Sequence, residues 1–150
     1  MKPAKHILLI NGPNLNLLGV REPEVYGRET LADVEQSLRG VASEIGVQLE
    51  FVQHNGEGEL IDAIHKLRGK ADGALVNAGA YSHSSLAIRD ALAGVSIPFI
   101  EVHITNIYAR EAERRHSMLA PAAVGVICGL GTYGYELALR GLARTLKARA

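Results

Sequence analysis

Ile7-Leu8-Leu9-Ile10 is an uninterrupted apolar run, and the polar segment Asn11-Gly12-Pro13-Asn14-Leu15-Asn16 follows it directly. A short apolar run without polar alternation is typical of a strand that is buried on both faces of a parallel sheet. Four more strand candidates lie along the chain, at 47–52, 73–76, 98–103 and 123–128. The sequence therefore predicts five short strands.

Helical patterns separate the predicted strands. Apolar residues recur at steps of three and four from Leu31 to Ile45, and Thr30 and Asp33 have the spacing of a capping box. Three more apolar stripes lie at 60–67, 86–92 and 135–146. Alternating strands and helices favour a three-layer α/β fold, and at this length the flavodoxin-like order 2-1-3-4-5 is the economical choice, because a TIM barrel needs about 250 residues.

The composition indicates one folded domain spanning residues 1–150, since a domain averages about 150 residues. Hydrophobic residues make up 47% of the chain and charged residues 21%, a balance that excludes disordered and fibrous classes. Sixteen basic and 16 acidic residues give a net charge of zero. Proteins that bind nucleic acid or anionic membranes usually carry a basic excess, so we expect neither partner.

The cellular compartment is indicated by cysteine content and by hydropathy. The single cysteine, Cys128, has no partner for an internal disulfide, and its place in an apolar run predicts an inert core residue. No apolar run approaches the roughly 18 residues that span a bilayer, and the four apolar residues at 7–10 are too few for a secretory signal. We expect a cytoplasmic protein.

Ligands of open α/β sheets bind beyond the carboxyl ends of the strands, near the switch in strand order between strands 1 and 3. Nearly twenty residues separate strand 1 from the helix at Thr30, whereas such loops usually have about 2–6 residues. The loop is either a flexible excursion or a lid, at about 19–28, that carries Arg21, Tyr26 and Arg28. A cation beside a tyrosine favours the tyrosinate form, which is a base.

Polar residues also follow strands 3 and 4. Asn77 and His83 come after strand 3, and polar residues there are either ordinary helix caps or ligand contacts. Glu101 and His103 are two positions apart, so on a strand they project to the same face. The pair is either a buried structural contact or an acid–base pair in which the carboxylate orients the imidazole. The backbone N–H groups after it are available to an anion.

Other motifs give weaker signals. Gly129-Leu130-Gly131-Thr132-Tyr133-Gly134 matches G-x-G-x-x-G, but that fingerprint needs a following strand with an acidic residue about 20 positions later. We interpret these glycines as a tight turn with close helix–sheet packing. The six histidines show no metal-ligand spacing, and phosphate loops and nucleophile elbows are absent from the sequence. We therefore expect no cofactor and no metal, which leaves acid–base catalysis. Proton abstraction next to a carbonyl, followed by loss of water, is one reaction that needs only an acid and a base.

These residues closely resemble the type II 3-dehydroquinate dehydratase family over almost the whole chain. The matching blocks are Asn11-Gly12-Pro13-Asn14-Leu15-Asn16, Arg21-Glu22-Pro23, Tyr26-Gly27, Asn77-Ala78-Gly79, His83, Leu86-Ala87-Ile88-Arg89-Asp90, Glu101-Val102-His103-Ile104-Thr105-Asn106, Arg110-Glu111, Arg114-Arg115-His116-Ser117, Gly125-Val126-Ile127 and Gly129-Leu130-Gly131. The resemblance implies a cofactor-free lyase that converts 3-dehydroquinate to 3-dehydroshikimate in the shikimate or quinate pathway. The alternative is a flavodoxin-like domain that binds a small ligand without catalysis.

The resemblance also implies catalytic roles. Tyr26, activated by Arg21, would remove the axial proton next to the ketone and give an enolate. Asn14 would hold a water that stabilises the oxyanion. His103, oriented by Glu101, would protonate the departing hydroxyl in an anti elimination.

Binding roles follow from the same resemblance. Asn77, with Gly79 beside it, and the backbone of Ile104 and Thr105 correspond to the carboxylate pocket. His83 and Arg114 correspond to contacts with the ring hydroxyls. Asp90 corresponds to a residue that reaches the neighbouring subunit's site, and seven helix positions would place it about 10 Å from His83. The family assembles as dodecamers of trimers, which the resemblance implies for this chain as well.

Three departures from the family pattern are visible. Thr105 stands where serine is common, Ser82 and Ser84 stand where threonines are usual, and His54 stands where serine is common. None of them is a proposed acid or base.

Overall fold

The computed structural model describes residues 3–149, so the ends of the predicted 1–150 domain lie outside it. Five parallel strands form one sheet in the order β2-β1-β3-β4-β5, which confirms the predicted α/β architecture. The strands are β1 His6–Asn11, β2 Gln48–Gln53, β3 Gly73–Asn77, β4 Phe99–His103 and β5 Gly125–Cys128. The helices are α1 Pro23–Tyr26, α2 Leu31–Ile45, α3 Glu57–His65, α4 Leu86–Val95 and α5 Tyr133–Arg149.

The sheet is covered on both faces because its inner strands carry apolar side chains on both sides. In β1, Ile7 and Leu9 pack with α2 and α5, whereas Leu8 and Ile10 pack with α3 and α4. Alternate strand residues point to opposite faces, so an unbroken apolar run is what a two-sided core requires. Among residues 3–149, no helix is long and apolar enough to cross a membrane.

The start of α2 confirms the predicted capping box. The backbone N–H of Asp33 donates to Oγ1 of Thr30 at 3.1 Å, and the N–H of Thr30 donates to Oδ2 of Asp33 at 3.0 Å. The helix ends at Gly46, which adopts a φ of 75°. These local signals fix both ends of the helix that follows the long loop.

Several element boundaries differ by one to three residues from the predicted ranges, and two of these differences have a clear physical reason. The apolar stripe at 60–67 extends beyond the end of its helix, because α3 ends at His65. Leu67 is nevertheless buried, since the turn after the helix returns it to the core. β5 begins at Gly125, since a short 3₁₀ turn occupies 120–122. Cys128, predicted to be an inert core residue, is only half-buried, because β5 is an edge strand with one open flank.

The glycines after β5 form the predicted turn and packing contact. Gly129 and Gly131 have φ values of 89° and 63°, in the left-handed region that glycine adopts readily. A Cβ on Gly134 would lie 3.4 Å from Cγ2 of Ile127. The first helical turn of α5 therefore packs closely on β5.

Candidate active site

The loops that leave β1 and β3 are held together at the carboxyl edge of the sheet. The N–H of Gly12 donates to the carbonyl of Asn77 at 2.7 Å, and a Cβ on Gly12 would lie 2.4 Å from the carbonyl oxygen of Ala78. Only glycine allows this approach. A cleft of about 90 Å³ lies at this edge, lined by Pro13, Asn14, Leu15, Arg21, Tyr26, Asn77, Gly79, Ala80, His83, His103, Ile104, Thr105, Ile107, Arg110 and Arg114.

The cleft contains all but two of the predicted site residues. Glu101 does not line the cleft but contacts His103, which does. Asp90 lies on the exposed surface of α4, outside the cleft. The predicted distance of about 10 Å assumed that His83 and Asp90 lie on one helix. That assumption was wrong, because His83 belongs to a separate 3₁₀ turn that ends before α4 begins. Arg28, predicted on the lid, is exposed and does not line the cleft.

Glu101 and His103 share one face of β4, as their spacing predicted. Nε2 of His103 contacts Oε2 of Glu101, and neither residue is exposed by more than 5%. The Oγ of Ser117 lies 2.7 Å from each carboxylate oxygen of Glu101. The sequence places Ser117 in a block that matches the family but gives it no role. A carboxylate buried with these partners is suited to hold an imidazolium in a fixed orientation.

Tyr26 ends the short helix α1 and points into the cleft from the lid. The Cζ of Arg21 lies 5.0 Å from the centre of its ring, so the predicted tyrosine–cation pair is present. Arg110 provides a second cation: its Nη1 donates to the Tyr26 hydroxyl at 2.7 Å. The sequence gives Arg110 no role beyond its place in a block that matches the family. Two guanidinium groups therefore lie beside the Tyr26 phenol.

His83 lies in the 3₁₀ turn after β3, with its ring stacked on that of His103 at a centroid distance of 5.9 Å. Its Nδ1 lies 2.7 Å from the carbonyl of His116, and this contact assigns the ring hydrogen to Nδ1. Burial lowers the pKa of His83, and the positive charges of His103 and Arg114 lower it further, against an opposing contribution from the His116 carbonyl. A neutral ring therefore faces the cleft.

The two asparagines of the cleft are fixed by bonds to the scaffold. Asn14 has a φ of 68°, and its N–H donates to Oδ1 of Asn55 at 3.1 Å. Nδ2 of Asn77 donates to the hydroxyl of Tyr135 at 2.8 Å, and its Oδ1 accepts from the N–H of Gly79 at 3.1 Å. Burial raises the pKa of Tyr135, so this phenol remains a neutral hydrogen-bonding group. Asn77 is thereby oriented before any ligand arrives.

Arg114 lies at the rim of the cleft, where its Nε contacts Oε1 of Glu111. The hydrogen bond to Glu111 is the main factor that raises the pKa of Arg114. Arg114 therefore brings a permanent positive charge to the side of the cleft that also holds His83. A permanent cation at this place suits an acidic ligand.

A larger groove, of about 710 Å³, lies between β2 and α3 and contains none of the predicted site residues. Its charged side chains are mixed in sign, with Glu50, Glu59 and Asp62 facing Lys66 and Lys70. Volume alone would favour this groove, but the perturbed histidine, the paired carboxylate and the tyrosine–arginine contacts all lie at the smaller cleft. Across residues 3–149, no group of three or more His, Cys, Asp or Glu side chains is arranged to hold a metal ion.

Comparison with known proteins connects this geometry to one family. The profile described as dehydroquinase class II matches residues 5–143. A 3-dehydroquinate dehydratase from Gemmatimonas aurantiaca is 62% identical over 141 residues, which cover 94% of this chain and 93% of the relative. A catabolic 3-dehydroquinase from Verticillium alfalfae is 57% identical over 146 residues, covering 97% of each chain.

Solved structures agree with the sequence comparison. The crystal structure of type II dehydroquinase from Propionibacterium acnes superimposes with a TM-score of 0.90 at 42% identity, covering 96% of this chain and 99% of the other. The family profile, at residues 5–143, includes every residue that lines the cleft. This chain therefore belongs to the class II dehydroquinase family.

Proposed function

We propose that this protein is a lyase that dehydrates 3-dehydroquinate to 3-dehydroshikimate, in the shikimate or quinate pathway, as a single catalytic domain with a lid at about 19–28. The observation that carries this proposal is the shared cleft of Tyr26 and His103. Tyr26 is in contact with the guanidinium groups of Arg21 and Arg110. His103 is in contact with the buried carboxylate of Glu101. Loss of water next to a ketone requires one base and one acid, and this cleft offers both.

The first step is removal of a proton by Tyr26. Its phenolate takes the proton from the carbon next to the ketone, and the electron pair of that C–H bond becomes the enolate. Arg21 and Arg110 stabilise the phenolate before the step, since both cations lie within 5.3 Å of the ring centre. Asn14 holds a water on the enolate oxygen, and its fixed backbone keeps that water in place as charge develops.

The second step is loss of the hydroxyl group. The enolate collapses to form the carbon–carbon double bond, the C–O bond breaks, and the proton of His103 joins the leaving hydroxyl to make water. The Glu101 carboxylate keeps His103 oriented and stabilises its charged form. Proton exchange with solvent then restores both residues, so the reaction consumes no reductant and needs no cofactor.

Charge and hydrogen-bonding capacity at the cleft suit the substrate. The backbone N–H groups of Ile104 and Thr105, with the side chain of Asn77 and the adjacent Gly79, receive the carboxylate. His83 and Arg114 bind ring hydroxyls, for which the neutral Nε2 of His83 is an acceptor. Thr105 retains the hydroxyl of the serine that is common in the family.

Asp90 has no role within one subunit in this proposal, because it lies on the exposed face of α4. We assign it to the site of a neighbouring copy in a trimer, four of which form the dodecamer. Light scattering of the purified protein tests the assembly. An active monomer would contradict the role of Asp90.

The experiment that tests the function follows the ultraviolet absorbance of the conjugated enone product. The protein is treated with chelator, supplied with 3-dehydroquinate and no cofactor, and assayed before and after exposure to borohydride. Turnover that survives both treatments supports an acid–base route without a metal or a lysine Schiff base. Absence of turnover from a folded, assembled sample would contradict the proposal.

A further inference from the structure

Ser117 reaches the buried carboxylate of Glu101 from outside β4. It follows the 3₁₀ turn Ala112–Arg114 in a segment without regular structure. Its Oγ lies 2.7 Å from both Oε1 and Oε2. The N–H of Met118 donates to the carbonyl of Ser82 at 2.7 Å and fixes this part of the segment against the 3₁₀ turn that follows β3. Ser117 itself does not line the cleft.

The hydroxyl of Ser117 has only one direction in which to donate. The backbone N–H groups of Leu119 and Ala120 donate to its Oγ at 3.0 and 3.1 Å. A hydroxyl has one hydrogen and two acceptor positions, and these two amides occupy the acceptor positions. The hydrogen is therefore directed to Glu101, whose ionised carboxylate only accepts.

Glu101 depends on few partners. Its side chain is fully buried, and its hydrogen bonds within the described part of the chain are those to Ser117 and His103. Burial of a carboxylate away from water costs free energy unless its oxygens are hydrogen-bonded. Ser117 satisfies the carboxylate and also sets the plane in which it faces the imidazole.

We propose that Ser117 is a positioning residue that holds the Glu101 carboxylate aimed at Nε2 of His103. This inference rests on the proposed role of His103 as the acid of the elimination. Without the serine hydroxyl, the carboxylate is free to turn. His103 then loses the partner that fixes its orientation, although no group that touches substrate has been removed.

Ser117→Ala tests this role, with two matched variants. Ser117→Thr retains a hydroxyl at the same place. Ser82→Ala removes a buried hydroxyl nearby whose Oγ has no hydrogen-bond partner within residues 3–149, while its backbone carbonyl still holds Met118. We expect kcat of Ser117→Ala to fall about 10- to 100-fold, the loss typical of a hydrogen bond to a charged group, with KM nearly unchanged. Ser82→Ala should retain wild-type kcat, and Ser117→Thr should recover most of it.

Two further readouts separate positioning from mere support of the fold. The alkaline limb of the kcat profile should move to lower pH by about one unit in Ser117→Ala, and it should stay in place in Ser82→Ala. In ¹⁵N spectra of the histidine rings without substrate, His103 should show a protonated Nε2 in the wild type and mixed tautomers in Ser117→Ala. The spectra do not depend on turnover, so they test the inference even if the proposed function fails. A folded Ser117→Ala with an unchanged pH profile and an unchanged His103 spectrum would overturn it.

Discussion

Glu101 and His103 belong to an interior strand, whereas Arg21 and Tyr26 belong to a loop that has left the sheet. We call Glu101, His103 and Ser117 the acid half of the cleft, and Arg21, Tyr26 and Arg110 the base half. The Glu101 and His103 side chains are 0% and 6% exposed, but the Arg21 side chain is 34% exposed and pairs with a half-exposed Glu22. Glu101 and His103 belong to the core, whereas Arg21 lies at the surface and Tyr26 and Arg110 are partly buried.

This difference in burial should separate the effect of a substitution on activity from its effect on stability. A change in the acid half leaves a polar group buried without a partner, so it should reduce both activity and stability. A change in the base half affects groups that are less buried than Glu101 and His103, so it should reduce activity with little loss of stability. Substitutions in each half test this contrast.

Tyr26→Phe removes the hydroxyl of the proposed base and leaves the ring in place. We expect kcat to fall by about 10² to 10⁴, the usual contribution of a general base, with Tm within about 2 °C of the wild type. The enone assay and calorimetry measure the two quantities. Tyr133→Phe, which alters an exposed tyrosine at the start of α5, is the matched control and should retain full activity. Wild-type turnover by Tyr26→Phe would remove Tyr26 from the mechanism.

Glu101→Gln alters the acid half with almost no change in volume. The Gln amide brings an N–H₂ group toward two donors, Ser117 Oγ and His103 Nε2, so one buried group loses its partner. We expect a loss of about 1–3 kcal/mol in the free energy of unfolding, which lowers Tm by several degrees, and a fall in kcat of about 10- to 100-fold. If calorimetry showed the same Tm as the wild type, the two halves would not differ as described.

Arg110→Lys sharpens the comparison within the base half. Lysine retains the positive charge but lacks the planar fork that lets Arg110 reach the Tyr26 hydroxyl at 2.7 Å and Oγ1 of Thr105 at 3.4 Å. We expect kcat to fall about tenfold, as the loss of one charged hydrogen bond predicts, with no change in Tm. Arg144→Lys on the exposed side of α5 is the control. Unchanged kcat in Arg110→Lys would leave Arg21 as the sole cation that matters to Tyr26.

The comparison also explains which parts of the site the sequence could predict. The strands, helices and the Glu101–His103 pair follow from local periodicity, since a strand fixes side-chain direction two residues apart. Arg110 and Ser117 lie among 3₁₀ turns with no such period, and their directions are set by distant contacts such as the bond from Met118 to Ser82. Arg110 follows a strand-end segment closely enough to be a candidate, but nothing local shows that it reaches the lid.

The smallest expected effect concerns His83, which lies beside the acid half and contacts both His103 and His116. Its pKa is lowered in the folded protein, mainly by burial, so the unfolded chain binds a proton more readily. The contribution of neutral His83 to the free energy of unfolding should therefore be fully present above the ordinary histidine pKa of about 6.5 and should decrease as pH falls below it. His83→Asn keeps a donor near the position of Nδ1 for the His116 carbonyl but has no titrating ring. We expect the loss of Tm between pH 7.5 and 5.5 to be smaller in His83→Asn than in the wild type, with the two proteins differing little at pH 8. An equal loss of Tm in the two proteins would mean that protonation of His83 does not destabilise the folded state. The acid half would then tolerate a second charged ring next to His103.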